Sequence, residues 1–254
     1  MTARGVRRAL AAVGGVLLLS LSASACAGGP PTIAPSGVDG LTIPTPSPDP
    51  ADFAGAVDNP WFPLEPGSRW SYRSTGGSRV ATTVATAGER RRVVDGVTCT
   101  GVHSVARDAH RRVVSEAWDW YAQDTAGNVW TFGGRTTSYD RRGQRVAGSS
   151  WEAGVGGAEA GLVMAAHPRL GDGYVVARRG GGAEERATVL SVDEQRAVPS
   201  GFYTHLVELE VTSTASPGTV RHRYYARGLG LVFDEPAEGA GVRPAKVLVS
   251  FVRG

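Results

Sequence analysis

From Ser68 onward apolar and polar residues alternate with a period of two, the signature of strands with one buried and one wet face. In residues 79–87, Val80, Thr82, Val84 and Thr86 oppose Ala81, Thr83 and Ala85. In residues 205–211, His205, Val207, Leu209 and Val211 oppose Leu206, Glu208 and Glu210. The shared face predicts His205 as a hydrogen-bonded core histidine. The runs are rich in Val, Thr, Tyr and Trp and are broken by turn residues: Asp95-Gly96, Asp124-Thr125-Ala126-Gly127 and Val198-Pro199-Ser200-Gly201 each read as a hairpin connection. No amphipathic helix of about ten residues stands out. The Gly-rich residues 154–166 are the one stretch where a turn or two of helix could form. The pattern predicts an all-β domain of about ten strands, a single curved antiparallel sheet or an incomplete barrel or sandwich.

The first fifty residues follow a different logic. Arg4, Arg7 and Arg8 precede an apolar run over residues 9–21, too short to span about 30 Å of hydrocarbon at 1.5 Å per residue. It reads as the core of a secretory signal. Ala23-Ser24-Ala25-Cys26 then resembles a bacterial lipobox, with Ala23 where Leu is usual. This implies a signal peptide over residues 1–25 and a diacylglyceryl anchor on Cys26, and two acyl chains hold stably. Cut as an ordinary A-x-A site, the same residues would instead release a secreted protein. Seven of the 15 prolines lie between Pro30 and Pro50, so residues 26–50 read as a stalk and residues 51–254 as the folded domain. The expected location is the outer face of the bacterial cytoplasmic membrane, with secretion as the alternative.

Composition narrows the function classes. The chain has 27 Lys and Arg against 24 Asp and Glu, and removing Arg4, Arg7 and Arg8 with the signal leaves 24 of each sign. That balance removes the electrostatic case for a nucleic-acid partner. With Cys26 lipidated, Cys99 is the remaining thiol, so no disulfide framework is expected and Cys99 reads as a small buried hydrophobe. The five histidines are scattered without ligand spacing, and no phosphate loop, serine elbow or zinc motif occurs, so neither a metal nor a cofactor is expected.

The remaining chemistry centres on residues 116–121, Glu-Ala-Trp-Asp-Trp-Tyr. Strand alternation puts Glu116, Trp118 and Trp120 on one face and Asp119 and Tyr121 on the other. With Trp130 and Trp151, the first three are candidate ligand-facing residues, the indoles stacking on a sugar beside a carboxylate. The plain alternative is core, because large aromatic rings mostly go inside. Glu116, Asp119 and Glu152 could supply the paired carboxylates of a glycan hydrolase.

Four segments resemble the recurring motifs of a family of bacterial exported proteins and lipoproteins to which no activity is assigned: residues 58–67 (DNPWFPL with Pro66-Gly67), 119–124 (DWYAQD), 148–155 (GSSWEAGV) and 224–232 (YYARGLGLV). The last is also similar, more loosely, to features of envelope lipoprotein carriers built on one curved sheet. These resemblances imply an envelope protein and assign no catalytic residue. The expectation is a non-enzymatic binding or structural domain whose concave face is filled or holds an apolar or glycan ligand. A glycan hydrolase and a stalked protein-interaction module are the alternatives.

Overall fold

The structure is a computed structural model and describes residues 48–77, 79–237 and 244–254. The expected signal, Cys26 and nearly all of the expected stalk lie outside these residues. The chain enters through one 3-10 turn, Pro50–Asp52, and a two-residue strand β1 (Phe53–Ala54). Two sets of strands follow. The first comprises β2 (Arg69–Ser74), β3 (Thr82–Val94), β4 (Val97–Arg107), β5 (Val113–Asp124), β6 (Val129–Tyr139), β7 (Arg145–Glu152) and the short β8 (Gly161–Met164). The second comprises β9 (Gly173–Arg179), β10 (Ala183–Val198), β11 (Gly201–Ser213), β12 (Val220–Ala226), β13 (Gly230–Pro236) and β14 (Lys246–Val252). Among the described residues no helix is long and apolar enough to cross a membrane.

All pairings are antiparallel, and every neighbour on the main path is a hairpin partner except one. The order runs from β7 back to β2, crosses to β14, and continues back to β9. The β2 and β14 ladder, with Tyr72 opposite Leu248 and Trp70 opposite Phe251, therefore joins two meanders into one sheet. The sheet curls until its ends nearly meet. Beyond the end of β7, β8 takes over the edge of β6, and Glu159 bridges to Arg178 of β9. Gly161 makes this approach feasible, since a Cβ there would collide with the carbonyl of Val176. The result is an incomplete barrel, one of the forms the alternation predicts, with fourteen strands among the described residues instead of about ten.

The turns form as their residues dictate. Asp95 and Gly96 both adopt positive φ, 48° and 77°, as a type I′ hairpin requires. Gly127 closes its turn at φ 89° with its N–H on the Asp124 carbonyl. Two expectations fail. Residues 154–166 form turns leading into β8, because Gly154, Gly156 and Gly157 all take left-handed φ and break any helical path. His205 sits at φ 53° with its side chain exposed, paired to Asp193. An irregular stretch of the β10 and β11 ladder, from Val189 to Arg196, turns it out of the core face that Val207 and Leu209 keep. Cys99 is fully buried, and burial pushes its thiol up to about 12.

Candidate functional site

The barrel interior holds a cavity of about 350 Å³ built in two layers. One end is floored by a strap, residues 55–67, which carries the DNPWFPL motif. Asn59 anchors it: Nδ2 donates to the carbonyls of Gly127 (2.8 Å) and Ala165 (3.2 Å), while Oδ1 accepts from the Trp61 N–H. The Pro60 carbonyl accepts from the Gly228 N–H at 2.7 Å, so the strap is tied to the turns of two hairpins, β5–β6 and β12–β13. Phe62 then projects inward against Tyr121 (5.1 Å between ring centres) and Tyr225 (6.2 Å). The two hairpins correspond in detail: their aromatic pairs, Trp120-Tyr121 and Tyr224-Tyr225, each coincide with a break in register, and the second aromatic of each faces the cavity.

Two residues along each strand, about 7 Å further in, the lining becomes charged. Asp119 follows Tyr121, and Arg223 follows Tyr225. Arg223, Asp234 and Lys246 are direct cross-strand neighbours on β12, β13 and β14. Glu185 and Arg179 complete the ring from β10 and β9. Most of these charges are paired. Glu185 accepts from Arg223 (3.2 Å) and Arg179 (3.3 Å), and Asp234 pairs with Arg221 and lies 3.7 Å from Arg223 Nε.

Asp119 and Lys246 are the exceptions. Among the described residues the Asp119 carboxylate has no hydrogen bond or ion pair. Burial pushes it up to about 6, against the pull of Arg179 and Lys246. Lys246 has a cation–π contact, 5.0 Å over the Tyr72 ring, and no ion pair. Burial draws its ammonium below the usual lysine range, opposed by Asp234 and Asp119. Each of the two feels the other without contact. Burial also raises Tyr225 to about 12 and Tyr121 well above the ordinary phenol, so both hydroxyls stay protonated donors.

The sequence-derived candidates divide between the two sides of this wall. Trp151 lines the cavity. Asp119 does so too, on the face opposite Glu116, Trp118 and Trp120. Those three lie on the other face of the wall in a stacked ladder, Trp120 buried in the core and Trp118 packed against it, with His103 4.5 Å from Trp118, Trp120 at 5.7 Å, and Arg90 and Arg92 over the rings. Sugar stacking needs a free ring face, and Trp118 has three neighbours against its ring. Glu116 accepts from Tyr139 at 3.0 Å, and Glu152 pairs with Arg92 at 2.6 Å. Both are outside the wall and Asp119 is inside, so these carboxylates do not converge on one bond. Trp130 packs under Phe53 and donates its indole N–H to Asp124 at 2.9 Å.

Sequence reasoning assigned no site role to Arg179, Glu185, Arg223, Asp234 or Lys246. One signal was available. Lys246 is the single lysine of the chain, set at the head of an apolar strand, where a solvated surface would not favour it over the arginines used elsewhere.

No family model matches the chain, and no curated protein matches it. Two solved structures are similar over 76% of this chain. A Bacteroides fragilis chain described as an exported protein with a YmcC-like fold is 11% identical, with 99% of its length covered and a TM-score of 0.46. A Parabacteroides distasonis chain described as a lipoprotein is 9% identical, with 98% covered and a TM-score of 0.42.

Proposed function

We propose that this chain is an extracytoplasmic binding protein of the bacterial envelope, tethered through a lipidated Cys26 and holding a small ligand inside its barrel. The observation that carries the reading is the interior cavity of about 350 Å³, within the usual range for small-molecule sites, lined by aromatic rings and a few convergent polar groups. A purely structural barrel gains nothing by placing charged side chains around an internal space, because each costs desolvation. The role is non-enzymatic. The hydrolase alternative loses its support where Glu116 and Glu152 turn away from Asp119.

Native against denaturing mass spectrometry of the protein purified from its own envelope tests the reading. Excess mass that disappears on denaturation supports it. A bare mass from cells of several growth conditions, with cavity substitutions that change nothing in the cell, would count against it. The anchor has its own test: Cys26→Ser should leave the membrane fraction, and continued retention would refute lipidation at this cysteine.

A further inference from the structure

If the cavity is a ligand site, the arrangement of its charges specifies the class of ligand. The fold satisfies Glu185 with Arg179 and Arg223, and Asp234 with Arg221 and Arg223. It leaves Asp119 on β5 and Lys246 on β14 without ion pairs in the wall of the same space, one negative and one positive. Further donors around them are also without protein partners. Arg179 Nε is the one buried side-chain nitrogen or oxygen lacking a hydrogen bond among the described residues. The Trp151 indole and Tyr121 hydroxyl face the cavity with no bond of their own. Gly134 keeps this corner open, since a Cβ there would stand 2.7 Å from Asp119 Oδ1 and 3.6 Å from Trp151 Nε1.

Unpaired charges lining the interior of a native fold call for an explanation. We propose that the cavity takes a small zwitterion, its cationic group against Asp119, its anionic group against Lys246, and a compact apolar body among Phe62, Tyr121 and Trp151. An acyl chain would fill the volume but strip both charges of water and return nothing. A neutral sugar would supply hydrogen bonds yet no counter-charge for either group. The zwitterion alone neutralises both at once, and the separation of the two charges, too wide for a direct pair, is the gap it spans.

Three probes of nearly equal shape isolate the charges: phenylalanine carries both, phenethylamine the cation alone, and 3-phenylpropionate the anion alone. N-acetylglucosamine serves as the neutral probe. Calorimetry on the full mature chain at pH 7.5 should show phenylalanine binding ten- to a hundredfold more tightly than either single-charge analogue, the range for losing one hydrogen bond to a charged group. Asp119→Asn should abolish the preference over 3-phenylpropionate and Lys246→Met the preference over phenethylamine, with circular dichroism confirming the fold. If either variant fails to fold, the wild-type ranking of the probes still decides.

Equal binding of the three charged probes, a preference for a single-charge analogue, binding of the sugar alone, or no binding at all would each overturn the zwitterion. None of these touches the broader reading, which stands or falls on the co-purified mass.

Discussion

Asp119 offers a direct measure of what the buried charges cost. Its carboxyl is displaced from 3.8 to about 6, chiefly by burial and only partly relieved by Arg179 and Lys246. At roughly 1.4 kcal/mol per tenfold change in proton affinity, that displacement is worth about 3 kcal/mol. The folded state binds the proton more tightly than the unfolded one, so the ionised form opposes folding. The penalty is absent below about pH 4, grows as pH rises, and is complete above about pH 7. Asp119→Asn removes the charge and keeps the shape. In ligand-free protein refolded from urea, the variant should therefore be more stable than wild type at pH 7.5, by up to about 3 kcal/mol, and the advantage should vanish near pH 4. Urea titrations at half-unit pH steps measure it, Tyr121, Glu185, Arg179 and Lys246 being the charged or titratable neighbours common to both proteins. A variant no more stable than wild type at pH 7.5, or an advantage that persists unchanged to pH 4, would refute the argument that burial of this carboxylate outweighs the compensation from Arg179 and Lys246.

Other consequences are equally open to test. Gly161→Ala drives a methyl group into the Val176 carbonyl and should cost about 2 kcal/mol or more in urea unfolding, with amide exchange accelerating first in β8 and β9. Asn59→Ala strands the carbonyls of Gly127 and Ala165 and should cost about 2 to 4 kcal/mol by the same assay, an undiminished midpoint showing that the strap is not fastened there. Cys99 should resist a thiol reagent in the folded Cys26→Ser protein and react promptly in urea, because its thiol is both buried and pushed up to about 12.

The local architecture was legible because turns and alternation are local properties. Asp95-Gly96 and Asp124 to Gly127 announce their hairpins, and the alternation of residues 116–121 correctly separates Asp119 and Tyr121 from Glu116, Trp118 and Trp120. What alternation cannot say is which face is inside. In most sheets the polar face is wet, so Arg223 and Arg221 read as solvated although they point inward with Tyr225. Glu208, which reads as wet, is 8% exposed beneath Tyr224 and His222. His205 was misplaced by an irregular ladder, invisible to a pattern that assumes an unbroken period. The closure of the sheet depends on β2 meeting β14 and on Gly161 lying against Val176, contacts between residues far apart in the chain.

The junction of β2 with β14 also sets an order of events in time. A meander can zip up hairpin by hairpin as its residues become available, but this sheet has one join that local zipping cannot make. Tyr72 acquires its partner Leu248 only when the last strand has been delivered, and Gly254 reaches the Ser68 side chain at the same seam. Until then two half-sheets expose the edges that the seam would cover, together with the inner surfaces of the future cavity. Loop closure over that distance makes folding slow relative to the hairpins themselves. A chain that crosses a membrane N-terminus first would thus remain threadable until β14 has passed, acquiring a complete interior only then.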